Sequence, residues 1–391
     1  MVSCESFNLT VITLGGFLAN NFTFRCFKNQ KIVNGCSSFK NHKGTTYGNC
    51  SGSFITFSSD DLQYGLFMTA AHCVMEVDNL TDPPTLTTLT NAYVTNPITG
   101  EWTPIDINKV YYDGTADVAL IRTDIDFTNY SNYPLQFSTT TPQTGDLCYI
   151  VGNPRNNDDC SISSGNIRDA NYTDPDGDQI PPSLYVDTAG VSGNSGSPIL
   201  NKEGEIIGIF TFGASNFETL GGGSNLWTLN QTLPVLYSYA IDSSNTNTIN
   251  VSKKYLGIDW QILNPFLMTG YYTTGIFNNM IFRRSFPNQG LQLWNSVNAL
   301  SPFFGILQQN DLILSVSDGT TEYELGQLPN QTTLGIMNYW YDIDEVTIKY
   351  IRGDTTTIVN NVPFTVTYAD VPIYYDQPLY GGSEQKSLKL L

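Results

Sequence analysis

Between about residues 32 and 240, apolar positions fall into short runs of strand length separated by turn residues. The clearest are "GSFITF", "GLFMTA", "DVALIR", "DLCYIVG", "SLYVDT" and "EIIGIFTFG". Most are apolar on both faces, as expected of strands closed into small barrels. The stretch "DSSNTNTINVSKK", residues 242–254, is polar and aperiodic and reads as a linker. Beyond it, "GLQLWNSV", "DLILSVSDG", "EVTIKYIRG" and "PFTVTY" read as strands, and "LGQLPNQTTLGIMNYWY" between them carries one helix. The pattern predicts a mainly β chain with an N-terminal arm (1–31), a first domain (32–241), the linker, a second domain (255–370) and a tail (371–391).

Composition agrees with strands and turns: 33 Gly, 19 Pro and 13% aromatic residues. The net charge of −18 argues against nucleic acid or an anionic membrane as a partner. No apolar run reaches the roughly 18–20 residues that span a bilayer. The N-terminus carries Glu5 rather than a basic start, so no signal peptide is expected. The compartment stays open; the Asn- and Thr-rich composition fits an AT-rich genome such as a virus carries. Seven cysteines lie within the first 160 residues, and none forms a C-x-x-C pair. A zinc site is therefore not expected, and the odd count leaves at least one free thiol or intermolecular bond.

The candidate chemistry begins at "SGNSGSPIL", where Ser195 stands before Gly196 in a glycine-rich turn. By itself this is weak, because turns collect glycine and serine for their backbone freedom. A serine nucleophile needs a base, and the base needs an orienting acid. Only two histidines exist. His72 ends the apolar run "GLFMTAAHC", whereas His42 falls in the polar stretch "SFKNHKGTTYG" and reads as solvated. Asp117 heads the strand "DVALIR", where a buried carboxylate must accept hydrogen bonds. A lone histidine is more often a core residue than a catalyst, but His72, Asp117 and Ser195 strengthen one another.

"TAAHC", "DVALI" and "GNSGSP" resemble the three motifs of chymotrypsin-like serine proteases. "LQFSTTTPQTGDLCYIVGNP", "LYVDTAGVSGNSGSPILNKEGEIIGIFTFG", "KKYLGIDW" and "SPFFGILQQNDLILSVSDG" resemble the HtrA/Deg branch, over roughly residues 32–370. The resemblance implies a two-barrel chymotrypsin-like protease domain followed by an α+β PDZ domain. It makes His72 the general base, Asp117 its orienter and Ser195 the nucleophile, with the N–H groups of Gly193 and Ser195 as the oxyanion hole. Thr211, Phe212 and Gly213 match the strand that pairs with substrate, and Ala189, Gly190 and Val191 the specificity pocket. That pocket is uncharged and suits small or medium apolar side chains. Tyr255, Leu256, Gly257 and Ile258 match the PDZ loop that captures peptide C-termini, with Lys253 and Lys254 as a positive spot beside it. The chain's own end, "SLKLL", is a ligand of that type. N-terminal aromatics (Phe7, Phe17, Phe22, Phe24, Phe27) imply a homo-oligomer, most simply a trimer.

Three departures bear on activity. Asn194 stands where trypsin-like enzymes carry Asp, so "KIVNG" (31–35) reads as a first strand and not an activation site. Cys50 and Cys73 occupy the positions of a trypsin-type disulfide that HtrA proteins usually lack. Ser197 replaces a glycine of the common pattern. Two further motifs read as empty: "TDPDGDQ", with Asp174, Asp176 and Asp178, has its glycine misplaced for an EF-hand, and "GGGSN" lacks the Lys of a phosphate loop and borders the pocket. No cofactor or metal is implied. The expected function is a serine endopeptidase with polypeptide substrates. Its alternative is a catalytically weak or inactive protease fold with a structural or chaperone-like role.

Overall fold

A computed structural model describes residues 36–43, 46–78, 85–114, 116–154, 161–172, 183–188, 190, 192–213, 220–245, 247–251, 253–262, 291–297, 299–309, 311–325, 334–352 and 355–367. The N-terminal arm, "KIVNG", the "TDPDGDQ" carboxylates, Ala189, Val191 and the tail lie outside the described residues.

The first lobe runs through β1 (Cys36–Lys43), β2 (Thr46–Phe54), β3 (Leu66–Thr69), the single-turn helix α1 (Ala71–Val74) and β4 (Met75–Asp78). It continues with β5 (Thr85–Thr95), β6 (Trp102–Pro104), β7 (Val110–Asp113) and β8 (Val118–Arg122). The second lobe comprises β9 (Leu147–Gly152), β10 (Ser161–Tyr172), β11 (Ser183–Val186), β12 (Pro198–Leu200), β13 (Ile206–Ile209), β14 (Phe212–Gly213) and β15 (Gly221–Ser224). Helix α2 (Leu226–Ile241) follows, and then β16 (Ile249–Asn250) pairs in parallel with β7. The stretch expected to be a linker therefore lies, at this point, along the first sheet. Among the described residues the first sheet orders as β16-β7-β8-β3-β2-β1-β5-β4, with β6 on β5, and the second as β13-β12-β9-β10-β11-β15-β14. A third sheet contains β17 (Ile258–Ile262), β18 (Leu291–Val297), β19 (Leu312–Ser317), β20 (Glu322–Glu324), β21 (Glu345–Arg352) and β22 (Thr355–Pro363).

The period-2 alternation of strands explains why these runs are apolar on both faces. In β3, Phe67 points into the first lobe's core, whereas Leu66 and Met68 belong to a second core. In β8, Ala119 and Ile121 face the lobe, and Val118 and Leu120 face outward. β9, β12 and β13 divide likewise: Ile150, Ile199 and Ile207 line the second lobe, and Val151, Leu200, Ile206 and Ile209 join the shared core. The shared core is completed by Leu229, Leu233, Leu236 and Ala240 of α2. The outer faces are thus buried by the helix and the facing lobe.

Helix α2 was not foreseen in a region read wholly as strands. Its start is fixed by Asn225, whose side chain accepts from the Thr228 N–H at 3.0 Å. Conversely, the helix expected within residues 325–341 is described as one 3-10 segment, Leu334–Tyr339. His42, read as a loop residue, lies in β1 opposite Tyr47 and Asn91.

Candidate active site

Asp117 is held before it meets His72. After β7, the Asp113 carboxylate accepts from the Ala116 N–H at 3.0 Å, and the Ser224 hydroxyl donates to the Ala116 carbonyl at 2.5 Å. The next residue, Asp117, is buried and adopts φ 53°, a left-handed conformation uncommon for a non-glycine residue. Its Oδ1 accepts from the His72 backbone N–H at 2.8 Å, and its Oδ2 lies 2.7 Å from His72 Nδ1. With both oxygens engaged, the imidazole is locked at Nδ1. A carboxylate oxygen at Nδ1 favours the tautomer with the proton there, which leaves the lone pair on Nε2. His72 reaches this place because β3 runs straight into α1 through Ala70 and Ala71, both fully buried.

The serine turn is secured against the first lobe. The Ser51 N–H donates to the Ser195 carbonyl at 2.8 Å, and its hydroxyl donates to the Gly193 carbonyl at 2.6 Å. The same hydroxyl accepts from the Asn153 N–H at 2.8 Å, so Ser51 joins the two lobes beneath the turn. Gly193 and Gly196 have φ of 97° and 85°. A Cβ on Gly196 would stand 2.2 Å from the Ser51 carbonyl oxygen, so no other residue fits. The Gly196 N–H donates to Phe210 O at 2.8 Å, which ties the turn to the segment between β13 and β14. Among the described residues, neither the Gly193 nor the Ser195 N–H donates a hydrogen bond within the chain.

Cys50 and Cys73 form a disulfide with Cα atoms 6.2 Å apart. It links β2 to α1 between Ser51 and His72, and Cys73 Sγ lies 3.8 Å from the Ser195 carbonyl oxygen. Cys148 is a free buried thiol, and burial pushes its pKa up to about 12, which makes it a poor nucleophile.

Gly152 of β9 leaves the space that the Ser197 side chain takes, but Ser197 Oγ is buried without a hydrogen-bond partner among the described residues. The Ser197 side chain is fully buried, and a Cβ on Gly152 would stand 1.9 Å from Ser197 Oγ. The Ser197 backbone donates to Asn194 O and accepts from the Phe210 N–H, both at 2.8 Å. Asn194 is buried as well, and its Oδ1 has no hydrogen-bond partner among the described residues. A neutral amide tolerates that position far better than a carboxylate would.

Of the expected pocket residues, Gly190 is described, and the ring of Phe210 occupies the space beside it. A Cβ on Gly190 would meet the Phe210 ring at 1.9 Å, and one on Gly221 would meet it at 2.7 Å. Gly213 lies across from Gly190: a Cβ there would be 3.3 Å from the Gly190 carbonyl. Gly221 of "GGGSN" thus lies beside the same ring as Gly190. Thr211 is buried and donates its N–H to Gly222 O at 2.8 Å. Phe212 and Gly213 form β14, the last strand on the second sheet's path, paired with β15. Sequence reading missed Ser51 and Phe210. Phe210 was legible only as one more apolar strand residue.

In the C-terminal domain, Tyr255, Leu256, Gly257 and Ile258 are all buried, and Gly257 takes φ 59°. The Tyr255 N–H donates to Val366 O at 2.9 Å, and Leu256 O accepts from the Ser301 hydroxyl at 2.5 Å. Lys253 and Lys254 do not form the exposed basic spot expected of them. Both are buried, with Lys253 Nζ donating to the Tyr339 hydroxyl at 2.8 Å and Lys254 Nζ 3.3 Å from Asp344. Burial lowers the Lys253 pKa to about 8, partly opposed by the Asp113 charge. No group of His, Cys, Asp and Glu side chains suited to a metal occurs among the described residues. No helix among them is long and apolar enough to cross a membrane.

The profile of the trypsin-like peptidase domain matches residues 50–209, which contain His72, Asp117 and Ser195. No curated protein matches the chain. Among solved structures, the serine endoprotease from Yersinia pestis is 17% identical, with a TM-score of 0.51, over 87% of this chain and 97% of that one. The HtrA-type protease AlgW with a tripeptide is 16% identical, with a TM-score of 0.56, over 84% of this chain and 93% of that one. AlgW with a decapeptide is 14% identical, with a TM-score of 0.54, over 86% and 96%. At these identities the likeness is one of fold: residues 50–209 match a trypsin-like peptidase domain, and the mainly β chain has the fold of HtrA-type proteases.

Proposed function

We propose that the protein is a serine endopeptidase in which Ser195 attacks the peptide carbonyl, His72 is the general base and Asp117 orients it. The observation that carries this reading is the double grip of the Asp117 carboxylate on the His72 backbone N–H and Nδ1. That grip leaves Nε2 to accept the Ser195 proton and later deliver it to the leaving amine, while Asp117 stabilises the imidazolium. The N–H groups of Gly193 and Ser195 receive the developing oxyanion, each such donor contributing about 2.7–4 kcal/mol to the transition state. Water, activated by the same histidine, then releases the acyl group.

The substrate backbone pairs with β14 and the residue before it, at Thr211, Phe212 and Gly213, an edge-strand pairing that is indifferent to sequence. Specificity comes from the pocket around Ala189, Gly190 and Val191. The Phe210 ring between Gly190 and Gly221 supports a shallow site for small apolar residues. The C-terminal domain is a PDZ domain on this reading, with Tyr255 to Ile258 as its carboxylate loop. Its partners are hydrophobic peptide C-termini. The N-terminal aromatics build a homotrimer, which light scattering before and after removal of residues 1–30 tests. The function itself is tested with peptides that differ only at P1, using Ser195→Ala as control. Cleavage after Ala or Val that is lost in the control is expected. A preference for Arg contradicts the pocket, and no cleavage of any peptide contradicts the enzyme.

A further inference from the structure

The C-terminal domain touches the loop that presents the triad acid through one tyrosine. Tyr341, just past the segment Leu334–Tyr339, donates its hydroxyl to Asp113 Oδ2 at 2.5 Å across 228 residues of sequence. Asp113 is fully buried at the end of β7, and its other oxygen holds the Ala116 N–H at 3.0 Å. Two further contacts surround this junction. The Thr232 hydroxyl of α2 lies 3.4 Å from the Tyr341 hydroxyl, and Lys253 Nζ bonds Tyr339. The chain from Asp113 to Asp117 is thus clamped at the carboxylate of Asp113 and at both polar groups of Ala116, immediately before Asp117 turns left-handed. A left-handed non-glycine residue is strained and persists only where its surroundings over-determine it. The Asp113 carboxylate supplies part of that constraint, and Tyr341 fixes the carboxylate.

We infer that Tyr341 and Asp113 are positioning residues for Asp117: the C-terminal domain holds the acid in the orientation that engages His72. The inference rests on the triad reading for its effect on catalysis, but not for its effect on the His72–Asp117 hydrogen bond. Without the tyrosine hydroxyl, the buried carboxylate loses a strong donor and turns toward other partners. The Ala116 N–H then loses its acceptor, and Asp117 gains freedom to leave Nδ1.

The test is Tyr341→Phe in the full chain, which keeps the ring and removes one oxygen. The far-downfield proton of the His72–Asp117 bond is followed by proton NMR, with His42→Gln identifying it, alongside kcat, KM and thermal melting. The expected result is a broadened or upfield-shifted proton and a fall in kcat of about tenfold, with KM within about twofold. Asp113→Asn, which keeps an acceptor for Ala116 and a donor for the tyrosine oxygen, should retain more of both signals than Asp113→Ala. An unchanged proton and kcat in a folded Tyr341→Phe protein, with only the melting temperature lowered, overturns the inference. If the unsubstituted protein cleaves nothing yet its His72 proton responds to Tyr341→Phe, the protease reading fails and the positioning role stands.

Discussion

Asp117→Asn separates the charge of the acid from its shape. The amide can still accept from the His72 backbone N–H, but its NH2 faces Nδ1 and forces the imidazole proton onto Nε2, where the base is needed. Turnover should fall about 10⁴-fold with the fold intact, as read from kcat and a melting curve. At Phe210 the expected effect is on selectivity. Phe210→Val vacates part of the space between Gly190 and Gly221, so kcat/KM for Leu or Phe at P1 should gain about tenfold or more relative to Ala. Unchanged selectivity would place the pocket elsewhere. Ser51 illustrates what sequence could not disclose. Nothing in "NCSGSF" marks its hydroxyl as the link between Gly193 O and the Asn153 N–H, because that role exists only once two lobes meet.

Among the elements, the Cys50–Cys73 bridge ties the strand carrying Ser51 to the helix carrying His72. It closes a loop of sequence separation 23, so replacing both cysteines by serine should cost about 3 kcal/mol of unfolding free energy. Urea titration measures this. A loss near zero would mean that the surrounding core already fixes the turn. The strands around the triad were legible because apolar runs, "AAHC", "DVALI" and "GNSGSP" are all local. Helix α2 was not. Leu226, Leu229, Leu233 and Leu236 do carry the helical spacing, but Pro234, three threonines or asparagines and two tyrosines dilute its propensity. What makes it a helix is its position over both lobes, where the shared core buries the leucine stripe. The polar stretch 242–254 misled for a related reason. Ile249 and Asn250 pair with β7, and Lys253 is buried by groups from distant parts of the chain.

At the scale of the whole molecule, the junction of the lobes and the C-terminal domain holds an ionisable group whose titration should be visible in stability. The Lys253 pKa is lowered from 10.5 to about 8 by burial, against the countercharge of Asp113. Below pH 8 the folded protein holds a desolvated ammonium at a cost. Between about 8 and 10.5 the unfolded chain binds more protons than the folded one, so rising pH favours folding, by on the order of 3 kcal/mol in full. Tyr112 acts in the opposite sense. Burial raises its pKa to about 12, so the stability that it lends below pH 10 is lost as the pH climbs from there toward 12. The buried Cys148 thiol, raised from 9.0 to about 12, loses its contribution from pH 9 upward. Thermal melting should therefore improve from pH 7 to about 9, level off toward pH 10 as Cys148 offsets Lys253, and decline above that. Lys253→Met should abolish the improvement, and a melting temperature that is flat or falling from pH 7.5 to 9 would contradict the assignment.

The central claim is that Ser195 is a nucleophile activated by His72 and Asp117, and covalent labelling tests it most directly. A fluorophosphonate probe incubated with the full chain should add one label per molecule, mapped by peptide mass to Ser195. His72→Ala should slow the labelling about 10³-fold or more, and Ser195→Ala should abolish it. Label on another residue, or none on a folded protein whose His72–Asp117 bond is intact, would contradict the account.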